Sequence, residues 1–394
     1  MPGLDGDHTG ARIREQRKLA RLTQVQLADR IPYSYSLLNQ VECGARPATD
    51  DFTAAVARAL QVDVTVLNGQ PYITELQQDR LAALVRPIRE AIDLYDLGAN
   101  PDLTCRPAQQ LIEAADCLCQ EVRATHLRNA AQALPGVIAE LTSTAWTEPS
   151  TALWRALAST YRTAHDITVK LGYYDLSAVA LDRMDWAAAR ASDPCLAAVR
   201  QYMRALVYFR EGEYSIGQRL IISGHRIIDQ AGRTREALAV TGQLHLGASV
   251  IAARADDEHA VNRHLAEAKQ LAERTGDASD IHWLSFGPAN VALHRMSTAV
   301  EMRHYDDALK QGRKMVLPPA LATSRRAHFL IERAHTEMET GHTEAALHSL
   351  VDARRAAPEQ TRYHPGARET ITGLVHLARR TPDTLNHMAA WIGL

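Results

Sequence analysis

Apolar side chains recur at three- and four-residue intervals along almost the whole chain. No stretch shows convincing strand alternation, so the pattern predicts an all-α protein. Five short helices are expected before residue 70. The first runs from Thr9 to Leu22. A second carries Leu27, Ala28 and Ile31, and a third carries Leu37, Leu38 and Val41. A fourth carries Phe52, Val56, Ala59 and Leu60, and a short fifth runs from Val64 to Leu67. Beyond them, Leu76 to Leu97 reads as one long helix bent near Pro87. Pro107 to about Leu141 reads as one or two more, interrupted near Pro135-Gly136.

The punctuation between residues 22 and 44 is the most informative. Thr23 is an N-cap with Gln26 three residues on, the signature of a capping box. Pro32 stops that helix, Ser34 caps the next, and Gly44 ends it. The second helix leaves Tyr35, Ser36, Asn39 and Gln40 on its polar side, neutral hydrogen-bonding groups of the kind that read base edges. The alternative reading is a polar face on a fold that has lost DNA binding.

These residues resemble the lambda-repressor-like helix-turn-helix of the Xre family of bacterial regulators. The likeness rests on Arg17, Leu22-Thr23-Gln24, Leu27-Ala28, Ser34, Leu38, Val41-Glu42, Gly44 and Arg46, then Ala57, Ala59-Leu60 and Leu67. It implies a five-helix DNA-binding domain over 9–69. Gln24 and Arg46 would meet the phosphate backbone, and Tyr33 and Ser34 would belong to the DNA-binding set. Tyr35, Ser36 and Gln40 would approach the bases, with Asn39 at the edge of that face. It also implies a buried pair between Arg17 and Glu42. The chain departs from the family at Pro32, where glycine is usual. Proline fixes φ near −65°, so the turn must be built differently.

A repeat runs through the second half. The phrase is a small residue, a helix end with Gly or a polar substitute, then a second helix with small residues facing the first. It is clear around Ala205, Gly212, Gly217 and Gly224 and again around Ala334, Gly341, Ala346 and Ala353. Weaker copies lie near Gly172, Asp256 and His304. Loop positions 172, 212, 256, 303 and 341 are 40, 44, 47 and 38 residues apart. This resembles the tetratricopeptide repeat, and Trp154, Leu157, Ala158 and Tyr161 echo its first helix. Spacings above 34 predict longer helices. The expected organisation is a disordered lead over 1–8, the DNA-binding domain over 9–69, a linker and connecting helix over 70–106, and a tetratricopeptide-like α-solenoid over 107–394. An irregular helical bundle is the plainer alternative. In the repeat register Arg162, Asp166, Tyr202, Gln243, Asn290, Ser297, His328 and His335 line the concave face, a candidate effector groove.

Composition changes the picture little. The net charge is −2, so the chain as a whole does not announce a polyanionic partner. Residues 9–47 hold seven Arg or Lys against three acids, a local excess that agrees with the motif. Five sparse cysteines suggest a reducing cytoplasm without a disulfide framework, and no apolar run is long enough for a membrane span. No phosphate loop, HExxH or nucleophile elbow is present, so neither an enzyme nor a cofactor is expected. Cys117 and Cys119, with Cys105 and His126 nearby, lie two apart on a helix and point to different sides, so no metal is expected there.

The reading is a cytoplasmic, sequence-specific regulator that binds a double-stranded DNA operator as a homodimer, its repeat domain sensing a peptide or small-molecule effector. The overall plan is similar to the peptide-pheromone-sensing regulators of Gram-positive bacteria. The alternative is a tetratricopeptide-type interaction scaffold whose DNA binding is secondary or lost.

Overall fold

The computed structural model describes residues 8–70, 82–378 and 381–394, and every named element in them is helical. An isolated bridge between Ala278 and Phe286 is the sole extended pairing among the described residues. Five helices build the N-terminal unit: α1 (Thr9–Leu19), α2 (Gln24–Ala28), α3 (Tyr35–Glu42), α4 (Asp50–Leu60) and α5 (Val64–Asn68). Ile13, Leu27, Leu38, Val41, Phe52, Val56 and Leu67 bury its core. The expected lead loses its last residue to structure, because the His8 side chain caps α1 by accepting from Ala11 N. Residues 1–7 lie outside the described residues.

Two ends differ from the sequence reading. Helix α1 stops at Leu19, where the left-handed Arg21 (φ 56°) turns the chain before Leu22. Helix α2 stops at Ala28, short of Ile31 and Pro32. None of residues 29–34 has a positive φ, so the turn is made without the conformation that glycine would supply.

The rest of the described chain is α6 (Ala82–Asp93), α7 (Ala108–Ala124) and α8 (Leu127–Thr147), then paired helices. The pairs are α9 (Thr151–Leu171) with α10 (Tyr174–Ala191), α11 (Pro194–Arg210) with α12 (Tyr214–Ile228), and α13 (Arg235–Arg254) with α14 (Glu258–Thr275). They continue with α15 (Pro288–Glu301) and α16 (Tyr305–Lys314), then α17 (Thr323–Glu339) and α18 (Thr343–Ala356). Helices α19 (Pro358–Tyr363), α20 (Pro365–Leu377) and α21 (Asp383–Trp391) close the chain.

All five loop positions inferred from the repeat are left-handed: Gly172 (φ 84°), Gly212 (72°), Asp256 (57°), Arg303 (60°) and Gly341 (81°). Helices α10 to α13, of 18, 17, 15 and 20 residues, account for the spacings of 40 and 44, whereas those of 47 and 38 come from the long connections after α14 and α16. The expected break at Pro135-Gly136 is overturned: α8 runs straight through it. The chain breaks earlier, at left-handed Thr125 (φ 71°), where His126 N donates back to Glu121 O. Of the expected helix over Leu76–Leu97, the start lies outside the described residues; α6 contains Pro87 and ends at Asp93.

The solenoid winds far enough to meet itself. Lys170 Nζ, near the end of α9, donates to Gln360 Oε1 of α19 at 2.7 Å, and Arg128 N of α8 donates to Glu359 at 3.0 Å.

Candidate nucleic-acid interface and the solenoid interior

The recognition helix is held by a polar network whose members the sequence named. Arg17 donates Nε to Glu42 Oε1 at 2.6 Å and Nη2 to Glu42 Oε2 at 2.7 Å, a two-pronged pair buried between α1 and α3. A third bond runs from Arg17 Nη1 to Leu22 O at 2.8 Å, closing the turn before α2. The Glu42 hydrogen bond raises the Arg17 pKa against the cost of burial. Gln24 Nε2 donates to Glu42 Oε2 at 2.9 Å and to Asn39 Oδ1 at 3.3 Å, while its Oε1 accepts from Tyr35 OH. In this arrangement the Gln24 amide fastens α2 to α3, and the Thr23 capping box takes the Gln26 N–H at the start of α2.

The remaining expected contacts divide. Tyr35 is 49% exposed, and Ser36, Asn39, Gln40 and Arg46 are exposed with it. Ser34 accepts from Leu37 N at 3.2 Å, so its hydroxyl serves as the helix cap. Tyr33 is a correction to the expected set. Its ring packs on Phe52 at 5.1 Å and its hydroxyl accepts from Arg303 at 3.2 Å, which turns it toward the solenoid.

The N-terminal unit rests on the hairpin turns of the solenoid, the same turns whose spacing betrayed the repeat. Tyr174 OH donates to Gln70, Arg58 donates to Gly212 O at 2.6 Å, and Arg303 donates to Asp51 at 2.8 Å. A Cβ on Gly212 would lie 3.0 Å from that of Ala54, so glycine serves both the left-handed turn and the close approach. Arg254, with a side chain 3% exposed, binds Asp50, Asp51 and Glu301. At the other side Thr9 Oγ1 donates to Glu369 of α20 at 2.6 Å. These contacts leave Tyr35, Ser36 and Gln40 uncovered.

The expected groove residues form two hydrogen-bonded chains across successive helices. Gln243 Nε2 donates to Tyr202 OH at 2.9 Å, and Asn290 Nδ2 donates to Gln243 Oε1 at 3.4 Å. Asn290 is 1% exposed and its Oδ1 has no hydrogen-bond partner. Ser297 donates to Glu332 at 2.8 Å, and His328 faces both Glu332 and His364. Arg162 donates to the His282 and Trp283 carbonyls, and Asp166 pairs with Arg123. His335 stands apart, edge-on to Tyr305.

Beyond Arg162 and Asp166, the charge of this interior comes from residues that the repeat register does not mark. Arg123, Lys170, Arg210 and Arg325 join Arg162, against Asp166 and Glu332. Burial pushes Lys170 down to about 8, with Arg123, Arg210 and Arg325 adding repulsion. Burial, then Arg325, brings His294 down to about 3; burial, then His328 and Lys170, does the same for His364. Burial opposes ionisation of Glu332, yet His328, Ser297 and Arg325 hold it at about 2. Arg123 Nε, Arg162 Nε, Arg210 Nη1 and Arg325 Nε are buried donors without hydrogen bonds. Arg123, Lys170, Arg210, Arg325 and Glu332 occupy no repeat-register signature, so a periodicity argument does not find them.

A family model described as a helix-turn-helix domain matches residues 8–68. The chain carries a helix-turn-helix domain at its N-terminus. No curated protein matches the chain. A solved structure of Bacillus thuringiensis PlcR, in complex with the peptide PapR7 and DNA, aligns over 90% of this chain and 96% of its own. The two are 13% identical with a TM-score of 0.34, a likeness too loose to bear on this chain's ligands.

Proposed function

We propose that the protein is a sequence-specific DNA-binding transcription regulator whose solenoid senses an effector. The observation that carries this is the exposed polar face of α3, with Tyr35, Ser36, Asn39 and Gln40 open to solvent on a helix braced by Arg17 and Glu42. A single such domain contacts too little DNA for a tight operator complex, which favours a homodimer on two half-sites. Because the docked solenoid leaves α3 uncovered, regulation would act on the position of the domain rather than by masking it.

The solenoid interior favours an effector with an anionic end, such as a peptide carboxylate. Buried guanidinium groups with unused N–H donors are suited to bind one bidentately. Asn290, with a free carbonyl oxygen, would read a neighbouring amide.

Anisotropy with operator fragments selected from genomic DNA tests the first part. Affinity should fall steeply between low and physiological salt, and a salt-independent complex would overturn DNA binding through phosphate contacts. The second part is tested on the effector once it is identified by co-purification. Asn290→Ala and Arg325→Ala should remove its influence while effector-free DNA binding persists, and an unchanged response in both variants would place the site elsewhere. The scaffold reading gains ground if no genomic fragment is enriched.

A further inference from the structure

Between α14 and α15 the chain makes an unusual excursion over residues 276–287. Phe286, fully buried, presses on Gly242, where any Cβ would overlap its ring. Ala278 N donates to Phe286 O at 2.9 Å, and Arg235 donates to the carbonyls of Thr275 and Asp277. Anchored in this way, the loop holds three non-glycine residues in the left-handed region: His282 (φ 44°), Trp283 (52°) and Ser285 (59°). Such conformations are costly and persist where surrounding contacts impose them, often at functional sites.

The strained apex carries His282 to the starts of α11 and α13. One ligand atom from each of Asp193, Cys195, Glu236 and His282 lies within 4.8 Å of all the others. Bond lengths of about 2.0–2.3 Å in a tetrahedral site put the donor atoms about 3.3–3.8 Å apart, so small side-chain adjustments suffice. Asp193 Oδ1 accepts from the N–H groups of Cys195 and Leu196, which fixes its carboxylate. The Asp193 side chain is fully buried, and Cys195 is 4% exposed.

We propose that Asp193, Cys195, Glu236 and His282 form a zinc site that ties the 276–287 loop to the starts of α11 and α13.

The plainer reading is two ion pairs, Glu236–His282 and Arg155–Asp193. Two observations favour a metal. Asp193 Oδ2 is buried without a hydrogen bond, although Arg155 Nε lies 2.6 Å from it. Close approach without bonding direction leaves that oxygen a lone pair to offer a cation. A thiol adds nothing to either ion pair, yet it completes a donor set of sulfur, imidazole and carboxylate that zinc accepts. With the thiol ionised, three negative charges would be matched by the dication and Arg155.

The site stands independently of DNA binding, but it would not be inert. The His282 carbonyl accepts from Arg162, so zinc would set the position of a donor in the charged interior.

Cobalt titration of the metal-stripped full-length protein tests the proposal. Expected are a near-ultraviolet thiolate-to-cobalt band, tetrahedral bands in the visible, displacement of both by zinc, and about one zinc per chain by elemental analysis. Cys195→Ala should abolish the thiolate band, and His282→Ala should weaken cobalt binding about 10-fold or more, with helical circular dichroism retained. If His282→Ala misfolds, Glu236→Gln at a half-exposed position should weaken it similarly. The proposal is overturned by the absence of a thiolate band, by its persistence in Cys195→Ala, or by unchanged affinity when Glu236 or His282 is replaced.

Discussion

Arg254 of α13 reaches out of the solenoid and places its Nε 3.1 Å from Asp51 Oδ1, at the start of α4 in the helix-turn-helix domain. Asp50 at 3.0 Å and Glu301 at 2.6 Å complete the cluster, and the guanidinium lies over the Phe209 ring at 4.1 Å. Burial opposes the charge, but the three carboxylates outweigh it and raise the Arg254 pKa. Asp50 and Asp51 also sit in the first turn of α4, where the helix dipole favours anions, so one pair of residues both starts the helix and docks the domain.

Arg254→Ala should therefore uncouple the two units. It leaves the partly buried Glu301 and Asp51 carboxylates facing each other without their shared cation, which weakens the junction. Limited proteolysis should then cut between the domains faster than in the parent, while the isolated helix-turn-helix keeps its fold. Unchanged cleavage in Arg254→Ala would show that other contacts hold the domain.

A second buried pair acts inside the domain. Arg17→Ala leaves Glu42 without its two-pronged partner and opens the Arg17–Leu22 bond, so the domain should lose about 3–5 kcal/mol. Arg17→Met combined with Glu42→Leu should cost less than either single change. A thermal melt of the domain that ignores Arg17→Ala would contradict this coupling.

Base reading and phosphate binding should separate by mutation. Gln40→Ala and Tyr35→Ala should each cost about 1–3 kcal/mol on the best operator and relax discrimination at one base pair. Arg46→Ala should weaken all sequences alike and make the salt dependence shallower. Competition binding against single-base operator variants distinguishes them, and equal losses on every variant for Gln40→Ala would remove that residue from base reading.

What the sequence revealed depended on whether a residue's role was local. Caps, turn residues and buried stripes act through neighbours three or four positions away, so Thr23, Ser34 and the five hairpin turns were visible as spacing. The Arg17–Glu42 pair was visible through resemblance. Tyr33 was misplaced because its partner, Arg303, is 270 residues distant. Pro135 was overweighted, since a helix tolerates proline when neighbouring helices support it, whereas left-handed Thr125 carries no sequence mark. Arg123, Lys170, Arg210, Arg325 and Glu332 of the charged interior, and the Asp193–His282 cluster, arise where distant helices converge, and no periodicity encodes them.

The contact between Thr9 and Glu369 should make stability depend on pH. Burial raises the Glu369 pKa to about 6 from an ordinary 4.5, with the Thr9 hydrogen bond opposing the shift and Asp50 adding to it. Between these two values the folded protein holds more protons on this group than the unfolded chain does. Stability from Glu369 is thus greatest below 4.5 and is lost as pH rises through 6, by up to about 2 kcal/mol. Glu369→Gln keeps an acceptor for Thr9 and removes the titration. Urea unfolding of both proteins should show them nearly equal near pH 4.5, with the variant more stable by up to about 2 kcal/mol at pH 7.5. A difference that stays constant across that range would mean that Glu369 is not the titrating group at this junction.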